Sequence, residues 1–227
     1  MPKKPTGKIG PLVMRNTPAG TSGGWETIKF PGPKDEVERF MLDLWISEMR
    51  KAGRSVLSVT KNPEDHFDFT LELPGGTVYM DLAELFYCNK DGIPYENDDI
   101  EIRIYDFAAQ TRDTVLKKSQ HYGKAGDTPI HLLLYITHWR FWPAEPVIRL
   151  AQHFLSEAPP ITENVFLVLP FDAANGTVRV LYPSRDPLEG RSPDEFVDKI
   201  YWTLDPSKGQ FISKVPGNDI TNGEASD

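Results

Sequence analysis

The sequence predicts an α/β fold in which a mixed β-sheet is flanked by helices. Three observations lead to it. Val37, Phe40, Met41, Leu44, Trp45 and Met49 recur at helical spacing and form one apolar stripe. Residues 66–73 and 77–83 alternate apolar and polar side chains on either side of Pro74-Gly75-Gly76, the pattern of a β-hairpin. Residues 130–137 are apolar almost throughout and lie between two helical segments, as in a central strand covered on both faces.

Residues 1–33 are rich in proline and glycine and show no sustained period. They read as an extended basic N-terminal arm, with Trp25 and Phe30 pinning its far end to the body. An α/β domain follows over 34–204. Its first helix, 35–52, has Asp35 and Glu36 at the positive end of the helix dipole and Arg50, Lys51 and Gly53 at the other. Strands are predicted at 55–60, 66–73 and 77–83, then an irregular stretch at 86–95 and a short strand at 100–104. A helix over 106–122 presents Phe107, Thr111, Val115, Lys118 and Tyr122 on its packed face. After the strand at 130–137, a helix spans 143–157. Strands 164–170 and 177–182 then flank Asn175-Gly176. The capping box Ser192-Pro193-Asp194-Glu195 predicts a last helix reaching about residue 201. Residues 205–227 read as a flexible C-terminal tail, because little apolar surface remains there to offset ordering entropy.

With 39% hydrophobic and 11% aromatic residues, the 227-residue chain can build a core, which excludes wholesale disorder. No apolar run approaches the roughly 20 residues that span a bilayer, and the N-terminus lacks the apolar stretch of a secretory signal. A lone Cys88 fits a reducing compartment. The expectation is a soluble cytoplasmic protein. Its net charge of −8 is unevenly spread. Residues 1–34 carry +5 and residues 205–227 carry −2, which leaves −11 on 35–204. So acidic a body disfavours non-specific binding of phosphate backbones over the whole surface, while a local basic patch or the arm could offset it.

The hairpin carries the chemistry of interest. Metal-dependent phosphodiester cleavage needs carboxylates from neighbouring backbone positions converging on one hard cation. If Leu73–Gly76 forms a four-residue loop, Glu72 pairs with Thr77. Asp68 then falls opposite Asp81 on the same face, with Cβ atoms about 4.5–5.5 Å apart. A three-residue loop would separate the two aspartates onto opposite faces. The alternation favours the first register, since it sends Phe67, Phe69, Met80 and Leu82 together to the other side.

Residues 35–140 resemble the core of the PD-(D/E)xK nuclease superfamily, the restriction-endonuclease-like fold. Asp68 matches the aspartate of the PD element, with Phe67 in place of the usual proline. Asp81 matches the second acid, and Ala83 stands where the lysine belongs. Members sometimes add an acid from the first helix, and Glu48 is the candidate here. In some members the lysine has moved to the following helix. Lys118 lies on the packed stripe of that helix, with Lys117 and Gln110 beside it. The resemblance thus implies Mg²⁺ or Mn²⁺ on Asp68 and Asp81, Lys118 as the basic group, and hydrolysis of DNA or RNA. Two outcomes stay open: a hydrolase with a relocated lysine, and a non-catalytic interaction or regulatory protein on the same fold that binds a basic protein partner.

Other features have plain readings beside functional ones. Asp68 and Asp81 could be solvated sheet residues, although like charges across a strand pair are destabilising. His66 is a solvated strand residue or a further ligand, and Lys118 could simply snorkel at the core's edge. Glu84 is an extra ligand or a helix cap. Thr137-His138-Trp139-Arg140-Phe141-Trp142 is a hydrophobic lid or a base-stacking surface. His121 and His153 have no zinc-ligand spacing with Cys88. The acidic cluster from Glu96 to Glu101 lacks EF-hand spacing, and no phosphate-loop, dinucleotide or nucleophile-elbow motif occurs.

Overall fold

A computed structural model describes residues 8–17, 20–63, 66–88, 100–122, 127–203 and 205–206. Inside the predicted extended arm, β1 (Leu12–Thr17) and β2 (Gly20–Trp25) pair antiparallel, with Leu12 opposite Trp25. The sequence hid this hairpin because GTSGGW has low β propensity and no apolar alternation, so the backbone ladder itself makes the structure. The arm is tied to the body through main-chain bonds. Trp139 N–H donates to Lys8 O at 2.9 Å, and within the arm Ile28 N–H donates to Ile9 O at 2.7 Å. Ile9 and Ile28 are buried, and Phe30 packs edge-on against Phe40.

Helix α1 (Lys34–Lys51) buries Met41, Leu42, Leu44, Trp45, Ile46 and Met49, and turns out at Gly53, whose φ is 76°. A meander follows: β3 (Ser58–Lys61), β4 (Phe69–Leu73) and β5 (Gly76–Glu84). Then come β6 (Ile100–Arg103), α2 (Ile104–Ser119), β7 (Ile130–Tyr135), α3 (Glu145–Glu157), β8 (Asn164–Pro170), β9 (Gly176–Tyr182) and β10 (Ile200–Thr203). The main sheet has six strands in the order β3-β4-β5-β7-β8-β9. β5, β7 and β8 run parallel and the outer pairings are antiparallel. The α/β fold with a mixed sheet is therefore as the sequence predicts.

The sheet separates two cores. Met80, Leu82, Leu133 and Phe166 pack under α1 on one face, while Leu132, Leu134, Val165 and Leu167 pack under α2 and α3 on the other. Every residue of β7 is buried, as its unbroken apolar run requires. The β4–β5 register is also the predicted one: Glu72 faces Thr77 and Leu73 faces Gly76.

Several boundaries differ from the expectation. β4 begins at Phe69, so the alternation breaks at Asp68 and Phe67 swings to the α2 face. There it stacks on Tyr79 with ring centroids 4.7 Å apart and meets Tyr122 at 5.2 Å. The predicted last helix is a single 3₁₀ turn, Pro193–Phe196, closed by the Ser192/Glu195 capping box. Beyond it Ile200-Tyr201-Trp202-Thr203, β-branched and aromatic, pairs with β6 as a separate two-stranded sheet. The acidic cluster before Ile100, much of the stretch at 86–95 and the tail from 207 lie outside the described residues.

Gly10 lets the two legs of the arm approach closely. A Cβ at this position would lie 1.8 Å from the backbone oxygen of Glu26. Gly10→Ala must part the 8–11 segment from the 25–28 segment and disturb the buried Ile9 and Ile28, and is expected to cost about 1–3 kcal/mol in chemical denaturation.

Candidate functional site

β4 stops short, and the gap it leaves is filled by a carboxyl group. In β5 the amides of Tyr79 and Leu85 point towards β7, where they bond Pro129 O and Tyr135 O. Those of Met80 and Leu82 therefore point the other way, towards β4. Beyond the Phe69–Met80 pair, β4 has no carbonyl to offer Leu82. The side chain of Asp68 substitutes for it, its Oδ2 accepting from Leu82 N–H at 2.7 Å. Asp68 O in turn accepts from Asn62 N–H at 3.1 Å, which fixes the aspartate's backbone against the end of β3.

Asp81 lies in the middle of β5 and is 7% exposed. Its Oδ2 accepts from Lys118 Nζ at 3.0 Å and from the Tyr122 hydroxyl at 2.6 Å. Lys118 sits on the last turn of α2 and Tyr122 just beyond it, one turn apart, so the end of one helix delivers both donors. Ala83, two residues on from Asp81 along the strand, packs against the apolar core instead. The three residues singled out by the sequence, Asp68, Asp81 and Lys118, are thus brought together.

The Asp68 and Asp81 carboxyl groups interact with each other, so that a proton held by Asp68 raises it and lowers Asp81. Burial raises Asp68, and the adjacent Asp81 raises it further, to about 7, against the opposing pull of Leu82 N–H. Burial also acts to raise Asp81. The hydrogen bond from Asp68, the Lys118 charge and the Tyr122 hydroxyl outweigh it and hold Asp81 below the usual carboxylate range. The pair therefore stands as neutral Asp68 beside anionic Asp81 at mildly acid pH. The Tyr122 phenol is raised by burial and by Asp81, so it remains a donor.

α1 completes the surroundings. Glu38, 5% exposed, forms an ion pair with Lys34 at 2.9 Å. The hydrogen bond to Glu38 raises Lys34, and Asp68 and Asp81 add to the effect, so this ammonium lies in the field of all three acids. Lys61 pairs with Asp35 at 2.8 Å and also feels Glu38 and Asp68. The helix acid near the site is therefore Glu38, not the expected Glu48, which instead pairs with Lys51 at the other end of α1. The sequence does carry the signal for Glu38: it occupies the buried stripe with Met41, Leu42 and Trp45.

Other candidates lie elsewhere. His66 and Lys117 are exposed, and Gln110 is engaged with the backbone of Cys88. Glu84 accepts from the Thr137 hydroxyl at the end of β5 and caps no helix. In the 137–142 segment, Phe141 and Arg140 are buried, and His138 accepts from Arg140 N–H. Among the described residues, no group of three or more His, Cys, Asp or Glu is arranged to hold a metal ion. No helix among them is long and apolar enough to cross a membrane. No protein-family model, curated protein or solved structure matches the chain.

The Asp68 proton has a consequence for stability. Because Asp68 titrates near 7 when folded and near 3.8 when unfolded, the folded chain holds an extra proton between those values. Stability from this group is therefore full below about pH 4 and is lost as pH rises through 7. Asp81 acts in the opposite sense, losing stability only in stronger acid. Asp68→Asn mimics the protonated acid, accepting from Leu82 and donating to Asp81. In thermal melts with chelator, the wild type is expected to lose more Tm than Asp68→Asn between pH 5 and 8.

Proposed function

We propose that the chain is a divalent-metal-dependent phosphodiester hydrolase acting on nucleic acid, built on a PD-(D/E)xK-like core. The observation that carries this reading is the Asp68–Asp81 carboxyl pair with the Lys118 ammonium 3.0 Å from Asp81. The order of elements agrees with it: a helix, a three-stranded meander bearing the two acids, a second helix and a parallel strand. The lysine reaches the acids from α2, as the resemblance implies for a chain with Ala83 in the motif position.

The donor set suits a hard cation. Two carboxylates without histidine or thiolate match Mg²⁺ or Mn²⁺, and Mg²⁺ in particular retains several waters and needs few protein ligands. Asp68 and Asp81 would hold it in place of the proton on Asp68. When bound, the cation supplies positive charge against phosphoryl oxygens and acidifies water. The chain's own groups do the rest. Lys118 sets the charge and orientation of Asp81 and stands ready to stabilise an anionic phosphate. Tyr122 locks the Asp81 rotamer, and Glu38 holds Lys34 beside the pair. Lys34, Lys61 and Lys118 each pair with an acid, Glu38, Asp35 and Asp81 respectively, so these lysines balance the acids of the site and add no excess positive charge.

One observation favours a second reading, a non-catalytic binding protein on the same core. Asp81 Oδ2 already has two donors and Asp68 is neutralised by a proton, so the site is complete without a cation.

Cleavage of mixed DNA and RNA oligonucleotides in Mn²⁺ tests both. Asp81→Asn is expected to lower the rate at least about 100-fold, and Lys118→Ala about 100-fold. Equal residual rates in the wild type and Asp81→Asn reject the hydrolase and leave the binding protein.

A further inference from the structure

A pocket of about 330 Å³ lies where the amino ends of β7 and β8 meet the end of α1. Its walls are apolar: Trp45 and Met49 from α1, Val56 from the segment after it, Leu73 at the end of β4 and Phe166 from β8. Trp45 and Phe166 meet with ring centroids 5.3 Å apart. The volume is that of a small-molecule site. It is separate from the acid pair. His131, which lines the pocket, stands opposite Met80 and shares its α1 face of the sheet, whereas Asp81 projects towards α2 and Lys118.

The polar groups within it are donors in search of an acceptor. His131 is 6% exposed and lies opposite Asn164 in the β7–β8 register. The Asn164 amide nitrogen is 3.1 Å from His131 Nδ1 and can only donate, so Nδ1 accepts and the ring proton sits on Nε2. Burial lowers His131 to about 4, so the ring is neutral at pH 7. Its Nε2–H has no partner among the described residues. The buried Trp45 indole N–H also lacks an acceptor. Native interiors leave few donors in this condition, because each forfeits its hydration without return. At the rim, the exposed Arg54 guanidinium has no acid paired with it among the described residues. The carbonyls that close α1 are taken by its own turn, Gly53 N–H donating to Arg50 O and Arg54 N–H to Met49 O. Of the acids adjoining lining residues in sequence, Glu48 pairs with Lys51, Glu72 accepts from Thr77, and Glu163 does not line the pocket. Apolar walls around a neutral N–H, with a guanidinium at the mouth, are complementary to an aromatic ring that carries a carboxylate. We propose that this pocket binds a small aromatic carboxylate, its ring among Trp45, Val56 and Phe166 and its oxygens on Arg54 and His131 Nε2–H.

Titration calorimetry of the full chain at pH 7 tests this with 1-naphthoate as the probe. One saturable site is expected, with Kd on the order of 100 µM. The neutral 1-naphthamide should bind at least about tenfold more weakly, and Arg54→Ala should weaken naphthoate by about the same factor. His131→Phe keeps a ring and removes the N–H, and should weaken naphthoate about fivefold or more. Circular dichroism verifies the fold of each variant, and Arg54→Ala, at an exposed position, keeps the test open if His131→Phe does not fold. The proposal is overturned by the absence of saturation at millimolar naphthoate, by undiminished binding to folded Arg54→Ala, or by binding of 1-naphthamide or 1-naphthylmethylammonium as tight as that of naphthoate.

Discussion

Two carboxyl groups, one just before β4 and one within β5, meet across less space than two negative charges tolerate. The local structure is arranged around that repulsion. Asp68 keeps its proton up to about pH 7, Lys118 and Tyr122 compensate Asp81, and the Leu82 amide donates to Asp68 Oδ2. These demands reach far in sequence. β4 must end at Phe69 so that an aspartate side chain can replace a strand carbonyl. α2 must end where residues 118 and 122 project over β5. α1 must bring Lys34 and Glu38 to the same opening.

The hairpin was legible because period-two alternation and a Pro-Gly-Gly turn admit few registers, and that register places Asp68, one residue before β4, beside Asp81. Lys118 was legible too, as a cation on an otherwise packed helical stripe. The choice of Glu48 over Glu38 failed for a geometric reason. The two residues are ten apart, which turns one about 280° from the other around the helix, so only one can face the acids. Phe67 was misplaced because alternation was extended one residue past the end of the strand. β1, β2 and β10 went unread for different reasons. Glycine-rich strands have no side-chain pattern, and a strong capping box says how a turn begins but not whether a helix continues.

The protein keeps two kinds of surface apart. Lysines paired one to one with acids surround the carboxyl pair, whereas a cleft elsewhere is walled by Trp25, Trp139, Trp142 and Trp202, with Arg140 lying over the Trp139 ring. The docked arm contributes to the second surface only. Its Ile9, Gly10 and Trp25 form one wall of the cleft, so the segment that read as an extended arm pinned at Trp25 and Phe30 is structural for that part of the molecule.

The Leu82 amide gives the acid pair an unusual handle. Its hydrogen is bound to a titrating side chain rather than to a strand carbonyl, so its magnetic environment changes when Asp68 loses its proton or is drawn elsewhere. A single backbone resonance, resolvable in a ¹⁵N-correlated spectrum, thus reads the ionisation of the centre from within and without an attached probe.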